Sequence, residues 1–454
     1  MSEKTIGSDL LGSLTEIAEI TKAISHEKRL KILILVMDEA QDFSSLLAKT
    51  ELQKTALSNH LSKMLQFNLI KRVERGKYLI TTDGLKLLTL ITSFYHEASV
   101  KQELERKKLI HRYTHRRMKK MEKKINIEPT YQPCWISYLG SVSGVMKALG
   151  KEEHDLVNTG GYTGYAFALP NVSKDSTCPS GPTALGKMWQ EIMKGTGVLG
   201  YNIKQYDDPS CYPKQEGHIT PEDRDRANKL FQRIKTAIDQ NNPVVLWGLP
   251  IPEYGIVTGY QESSYLVSTF RSLINQPDDP VAFDALQAPG GLHAVIFENQ
   301  LSKVTMSDDR DALQRAITLA EGQLAEDNYV AGVLAYETWA NVLETAPQEK
   351  VLYHGNSYNN ECTLEAKDLS AAFLGRLAEK YNTEPFSSYL KEAAEKFGKI
   401  VELLKSFQKI FPFAFEGDLS EEKRLEGAKI LREVIPHERQ TLTLMKKALE
   451  SWTE

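Results

Sequence analysis

Apolar residues near the start of the chain recur every three or four positions, which is the spacing of short amphipathic helices. A predicted helix from Lys54 to Gln66 has its apolar residues on one face: Leu57, Leu61, Met64 and Leu65. Its opposite face is polar: Lys54, Thr55, Ser58, Asn59, His60, Ser62 and Lys63. Such a helix packs through one face and offers the other to the major groove of DNA.

A short basic hairpin follows this predicted helix. Its turn lies at Gly76, and four basic residues flank the turn: Lys71, Arg72, Arg75 and Lys77. A hairpin of this charge is suited to contact the phosphate backbone. We therefore predict that nine residues contact double-stranded operator DNA: Lys54, Thr55, Ser58, Asn59, His60, Lys63, Arg72, Arg75 and Lys77. The alternative is a protein-interaction module whose basic residues are only solvated.

The segments "ISHEKRLKILILV" and "FSSLLAKTELQKTALSNHLSKMLQFNLIKRVERGKYLITTDG" resemble the winged helix of ArsR-type transcriptional regulators. The resemblance runs from roughly Ile17 to Leu88 and implies a DNA-binding regulator. Metal-sensing members of that family carry cysteines in the helix before the turn, where this chain has Asp42-Phe43-Ser44-Ser45. Because no thiolate is available there, we expect no metal at that site and no cofactor.

The charge distribution and the cysteine content limit the class of protein to which the chain can belong. The 454 residues carry a net charge of −4, but residues 1–124 hold 24 basic and 15 acidic side chains. A basic N-terminal region is suited to bind DNA, whereas the acidic remainder of the chain is repelled by the DNA phosphates. Four widely spaced cysteines favour a reducing compartment over a disulfide scaffold: Cys134, Cys178, Cys211 and Cys362. With neither a signal-peptide pattern nor a bilayer-spanning apolar run, the expectation is a soluble cytoplasmic protein without membrane contact.

The stretch from Leu85 to Ile125 lacks Gly and Pro, so it predicts one or two long helices. Its residues 101–124 hold 11 basic and 3 acidic side chains. We favour a helix that forms a homodimer, because two-fold operators usually require two-fold proteins; a solvated linker helix is the alternative. Four regions result: a winged helix at 1–90, a linker and dimerisation helix at 91–128, an α+β domain at 129–305 and a helical part at 306–454.

The composition of the chain changes after "NIEPTYQP". The pattern of the region that follows, which we call the body, predicts an α+β fold. Short β-branched runs predict strands at 243–247, 254–260, 264–267 and 293–297, after helices such as Ile136–Leu149 and Ala184–Lys194. The remainder predicts helices at Asp309–Ala325, Val330–Leu343, Leu364–Tyr381, Pro385–Phe407 and Ser420–Ser451.

Two further segments, "PCWISYLGSVSGVMKALG" and "PVVLWGLPIPEYGIVTGYQESSYLV", resemble the papain-like fold of double-glycine leader peptidases. They resemble still more the butirosin biosynthesis protein H group of acyltransfer proteins. The resemblance implies a cysteine at a helix N-terminus, here Cys134, with a histidine on the facing strand as its base. At that position this chain has Glu253 and Tyr254, so we expect no active pair. His293, on a later strand, is the remaining candidate base.

The segments that form the cleft in the resembled fold are rich in aromatic residues, which describes a small-molecule site. We predict contacts to an unknown small-molecule effector from six residues: Trp135, Tyr162, Tyr165, Trp247, Glu253 and Tyr254. Glu253 and Glu337 would suit a cationic or amino-bearing ligand. The alternative for each aromatic residue is the hydrophobic core. The function predicted is an effector-sensing transcriptional regulator; the other classes are a cysteine-dependent acyltransferase or amidase and a scaffold without ligand.

Overall fold

The computed structural model describes residues 13–37, 39–50, 52–74, 76–97, 122–211, 219–300 and 305–452. The chain divides into two units, Met1–Arg117 and Met118–Glu454. Helix and sheet are mixed, so the predicted α+β class is confirmed.

The N-terminal unit is a winged helix. Its elements are α1 (Leu14–Ile24), α2 (Glu27–Leu35), β1 (Gln41–Asp42), α3 (Phe43–Thr50), α4 (Lys54–Gln66), β2 (Ile70–Glu74), β3 (Lys77–Ile80) and α5 (Thr82–Glu97). The three strands form an antiparallel sheet in the order β1, β3, β2. The predicted apolar face of α4 is confirmed, because Leu57, Leu61 and Met64 are buried in the core of this unit and Leu65 packs against it.

The described part of the predicted long helix after the wing is α5, which covers Thr82–Glu97. Residues 98–121, which include most of the predicted dimerisation helix, lie outside the described residues. Residues Glu122–Lys124 form a strand, β4, so the prediction of helix up to Ile125 is wrong at that end. A sequence without Gly or Pro permits a helix, but here the backbone groups pair instead with residues 259–261 of a body strand.

The C-terminal unit begins with an α+β half that contains the predicted strands and helices. Its helices are α6 (Ser137–Ala148), α7 (Leu156–Thr163), α8 (Tyr165–Ala168), α9 (Met188–Gly197) and α10 (Pro221–Asp239). Its strands are β5 (Asn171–Ser173), β6 (Tyr201–Asp208), β7 (Val244–Trp247), β8 (Tyr254–Gln261), β9 (Ser264–Ser268), β10 (Val281–Ala282) and β11 (Leu292–Gln300). The main sheet is antiparallel in the order β10, β9, β8, β7, β11, β6, with β4 on β8. The buried helix α6 packs against this sheet through β8 and β7.

The second half of this unit is helical apart from one short strand. Its elements are α11 (Met306–Ala320), β12 (Tyr329–Ala331), α12 (Val333–Thr345), α13 (Tyr353–Lys380), α14 (Ser387–Ile410) and α15 (Glu421–Ser451). The prediction missed the first eleven residues of α13. Their polar side chains interrupt the apolar periodicity, yet they are buried because they bond to other parts of the fold: Asn356 accepts from the Trp339 indole, and Asn359 donates to the Cys178 carbonyl.

Candidate functional site

The polar face of α4 is accessible at the positions predicted to contact DNA. Lys54, Thr55, Ser58 and Asn59 are exposed, whereas His60 and Lys63 are half-buried. The opposite face of the helix is fixed in the core by Leu57, Leu61 and Met64, so its rotation about its own axis is set by packing. Four of the six predicted contacts therefore lie on one accessible face.

The two half-buried residues of this helix have partners within the N-terminal unit. The ring of His60 lies 4.6 Å from that of His26, and its Nδ1 is 3.5 Å from the Arg29 guanidinium. Burial, followed by the charges of His26 and Arg29, lowers the pKa of His60, which favours its neutral form. The Lys63 ammonium is 3.6 Å from the Glu19 carboxylate and 4.8 Å from the ring centroid of Phe67. Both side chains thus help to hold α4 against its neighbours.

The wing presents basic side chains on both of its strands. Arg72 on β2 and Lys77 on β3 are exposed, and the Arg72 guanidinium lies 5.7 Å from the Tyr78 ring centroid. Arg75, the third predicted wing contact, lies outside the described residues. Gly76 forms the turn with a φ of 78°, a left-handed conformation that favours glycine.

In the C-terminal unit, the carboxylate of Glu365 sits at the start of α6. Its Oε2 accepts the amide hydrogens of Trp135 and Ile136, at 2.6 Å and 3.2 Å, and the thiol of Cys134 at 3.0 Å. These amide groups have no partner within the helix, and the positive end of the helix dipole favours a carboxylate there. Sequence analysis missed Glu365, because it lies on α13, 229 to 231 residues along the chain from its three partners.

This arrangement favours the thiol form of Cys134. Burial and the negative charge of Glu365 raise the pKa of Cys134 well above its ordinary value. His293 does not act as its base in this geometry: its Nδ1 is 2.8 Å from the Tyr254 hydroxyl, and its Nε2 is 3.0 Å from the Gln205 amide. Burial lowers the pKa of His293 to about 4. In this structure both ring nitrogens of His293 are engaged by residues other than Cys134, so the candidate base is not hydrogen-bonded to the thiol.

Glu253 lies immediately before β8, at the position where the papain-like resemblance would put a histidine. One of its oxygens accepts the Ser137 hydroxyl and the other accepts the Tyr358 hydroxyl, each at 2.5 Å. Burial raises the pKa of Glu253 to about 7, and it also raises the pKa of Glu365. As whole residues, Glu253 and Glu365 are half-buried, so the recess in which they lie is only partly open to solvent.

Aromatic side chains form the rim of this recess, which we call the cleft. Trp135 is 38% exposed, and its ring centroid lies 4.6 Å from Phe413 and 6.5 Å from Tyr358. His354 stacks on Tyr358 at 5.8 Å and on Phe415 at 4.6 Å. Phe413 and Phe415 lie between α14 and α15 and are 41% and 76% exposed. The sequence signal for this rim is weak, because its rings come from three distant segments.

The six predicted effector contacts divide into two groups. Trp135 and Glu253 line the cleft, whereas the other four have less than a tenth of their surface exposed: Tyr162, Tyr165, Trp247 and Tyr254. The polar atoms of those four are bonded within the protein; for example, the Tyr162 hydroxyl donates to Asp309 and the Trp247 indole donates to the Pro289 carbonyl. They support the core in this structure. Glu337 lies elsewhere, paired with Arg439 at 2.5 Å.

Among the described residues, His, Cys, Asp and Glu side chains form no group of three or more that is placed to hold a metal ion. No helix in the described part of the chain combines the length and apolar character that crossing a membrane requires.

The family comparison concerns the N-terminal unit. A search of the curated proteins found no match. Residues 26–72 match the family model described as bacterial regulatory protein, arsR family. This stretch contains α2, α3, the exposed polar face of α4 and the first residues of β2. The chain therefore contains an arsR-family helix-turn-helix domain, which suggests DNA-binding transcriptional regulation.

Proposed function

We propose that the chain is a homodimeric transcriptional regulator that binds operator DNA through α4 and the wing and responds to a small molecule bound in the cleft. The arsR-family match, combined with the exposed polar face of α4, is the observation that carries this proposal. The protein acts in the cytoplasm, where operator DNA is accessible to it.

Base contacts come from the four exposed residues of α4 and phosphate contacts from the wing. Asn59 is suited to read adenine, because its amide offers a donor and an acceptor side by side. Arg72 and Lys77 contact phosphates on the flank, as does Arg75 between them in sequence. His60 and Lys63 act mainly by supporting the helix, because His26, Arg29 and Glu19 already engage them.

Effector binding belongs to the C-terminal unit, whose fold we propose to be papain-like. In support, Cys134 precedes a buried helix that packs on an antiparallel sheet, and Glu253 precedes the strand β8. The thiol-favouring surroundings of Cys134 support binding rather than acyl transfer as the role of the cleft. Trp135 and Glu253 are the predicted contacts that remain accessible there.

Dimerisation is proposed through the basic segment 101–124, of which residues 101–121 lie outside the described residues and Glu122–Lys124 form β4. Two copies would place two copies of α4 in successive half-sites, and an effector would shift the population of dimer geometries that fit them.

The DNA-binding proposal is tested by gel retardation of the full chain on fragments of its host genome. Asn59→Ala should relax the sequence preference, while Arg72→Ala should weaken binding to all sequences. Losing one phosphate contact lowers the magnitude of the slope of log affinity against log salt by about 0.9. Between 50 and 200 mM salt, the variant should therefore lose roughly 3.5-fold less affinity than the wild type. Lys405→Ala, an exposed lysine on α14, is the matched control and should change neither property. Failure to retard any fragment at low salt contradicts the proposal.

Effector binding is tested separately by the thermal stability of the full chain in a broad screen of metabolites. A ligand at about a hundred times its dissociation constant adds about 2.7 kcal/mol to the free energy of unfolding. Trp135→Ala should abolish the resulting shift without changing operator binding by the ligand-free protein. A screen without any thermal shift contradicts the effector part of the proposal and leaves the DNA-binding part intact.

A further inference from the structure

We propose that the cleft binds an organic cation, a small molecule whose ammonium or guanidinium group contacts Glu253 and Glu365 and whose apolar part lies against Trp135. This inference rests on the proposed effector function and names the chemical class of its ligand.

In the described part of the chain, no cationic side chain pairs with Glu253 or Glu365 or contributes to the pKa shift of either. Two other buried carboxylates of the same unit do have one: Glu438 lies 2.6 Å from the Lys367 ammonium, and Asp309 lies 2.5 Å from Lys380. Carboxylates removed from water are normally paired, so a cationic ligand would supply what the cleft lacks.

Neighbouring charges make the local field more negative. Asp368, on the same helix as Glu365, raises the pKa of Glu365 further, after burial. Glu361 is buried on α13, and its bonded partner is the neutral amide of Gln408. The hydrogen bonds that Glu253 and Glu365 accept come from hydroxyl, thiol and amide groups, which carry no full positive charge; the partial positive end of α6 compensates only Glu365, and only in part. This field repels an anionic ligand and attracts a cation.

The aromatic rim of the cleft also suits an organic cation. A cation positioned over an aromatic ring is attracted by the electrons of its face, and tryptophan gives the strongest attraction. Trp135 combines an exposed ring with a backbone amide held by Glu365, so the ring and the carboxylate are fixed relative to each other. Tyr358 joins the other carboxylate to the rim, since its hydroxyl donates to Glu253 and its ring makes a T-shaped contact with Trp135. An exposed aromatic surface beside unpaired carboxylates matches an organic cation in both charge and shape.

The proposal is tested by calorimetric titration of the full chain with 1,4-diaminobutane, agmatine and choline. The neutral isostere 1,4-butanediol and the anion succinate are the matched comparison ligands. We expect at least one cation to bind at least tenfold more tightly than the diol. Glu253→Gln and Glu365→Gln should each weaken that binding about tenfold, and Glu395→Gln, at an exposed position on α14, should leave it unchanged.

Binding should also strengthen as the pH rises, because the cation favours the ionised form of Glu253. With a pKa of about 7, the ionised fraction of Glu253 rises about tenfold between pH 6 and pH 8. Among the described residues, the ionisable groups whose charge interactions involve Glu253 are not basic: Tyr131, Tyr165, Tyr254, Tyr358 and Cys362. The rim also holds His354, which stacks on Tyr358, so the pH series is repeated with His354→Gln to separate the two groups.

The outcomes distinguish this inference from the function on which it rests. Equal binding of cation and diol by the wild-type chain overturns the cation class, even if the glutamate variants fail to fold. A thermal shift with a neutral or anionic metabolite that Trp135→Ala abolishes overturns the class while keeping the effector function. If no metabolite of any charge binds, both the inference and the effector function fail.

Discussion

Replacing Glu253 by glutamine should change how the stability of the C-terminal unit depends on pH. Burial raises the pKa of Glu253 to about 7, from an ordinary value of 4.5. Between these values the folded chain holds a proton that the unfolded chain has released. The free energy of unfolding therefore falls as the pH rises through this window, and the cost of ionising Glu253 is fully present above pH 7.

The size of the effect follows from the two pKa values. A carboxyl group that titrates near pH 7 when folded and near pH 4.5 when unfolded lowers the free energy of unfolding by about 2.5 kcal/mol between pH 5 and pH 8. Glutamine does not titrate, and its amide still offers the oxygen that Ser137 or Tyr358 needs. For a unit of roughly 340 residues, unfolding entropy is about 0.7 kcal/mol per kelvin. Between pH 5 and pH 8, the melting temperature of the variant relative to that of the wild type should thus rise by about 3 to 4 °C.

The measurement is a thermal or urea unfolding series of both proteins at half-unit steps from pH 5 to pH 8. Glu365 titrates in both proteins, so its contribution cancels to first order in the difference. Glu395→Gln makes the same chemical change at an exposed position and should follow the wild type at every pH. If the Glu253→Gln and wild-type profiles run parallel, Glu253 is not desolvated as described, and the cleft loses its buried carboxyl group.

Two further substitutions test the packing and chemistry around α13. Lys367→Met should cost about 3–5 kcal/mol of unfolding free energy in urea titrations, because it leaves the buried carboxylate of Glu438 without its cation, and Lys367→Met combined with Glu438→Gln should recover part of that loss. A cost below 1 kcal/mol would contradict this account. At pH 7, iodoacetamide should label the half-buried Cys178 before Cys134, and Glu365→Gln should speed labelling of Cys134, because a negative charge that disfavours its thiolate is removed. Fast labelling of Cys134 in the wild type would refute this.

Local patterns in the sequence were sufficient for the winged helix and for most elements of the body. The face of α4 follows from apolar residues three and four apart, since one helix turn places them together. The strands β7, β8, β9 and β11 follow from β-branched runs bounded by turn residues. The start of α13 does not, because buried polar residues such as Asn356 and Asn359 replace the apolar pattern there. Their burial depends on partners elsewhere in the chain, which local periodicity does not contain.

The candidate cleft shows the same limit more strongly. The sequence selected Trp135 and Glu253 through their motifs, but it selected the buried Trp247 and Tyr254 on equal grounds, since an aromatic residue suits a core as well as a pocket. Only tertiary structure placed the Glu365 carboxylate at the start of α6, from a helix more than two hundred residues away. Hydrogen bonds and charge interactions depend on distance in space rather than along the chain. The sequence by itself therefore determined most of the elements and the helix-turn-helix pattern, and the approach of Glu365 on α13 to the residues just before α6 decided which side chains form the cleft.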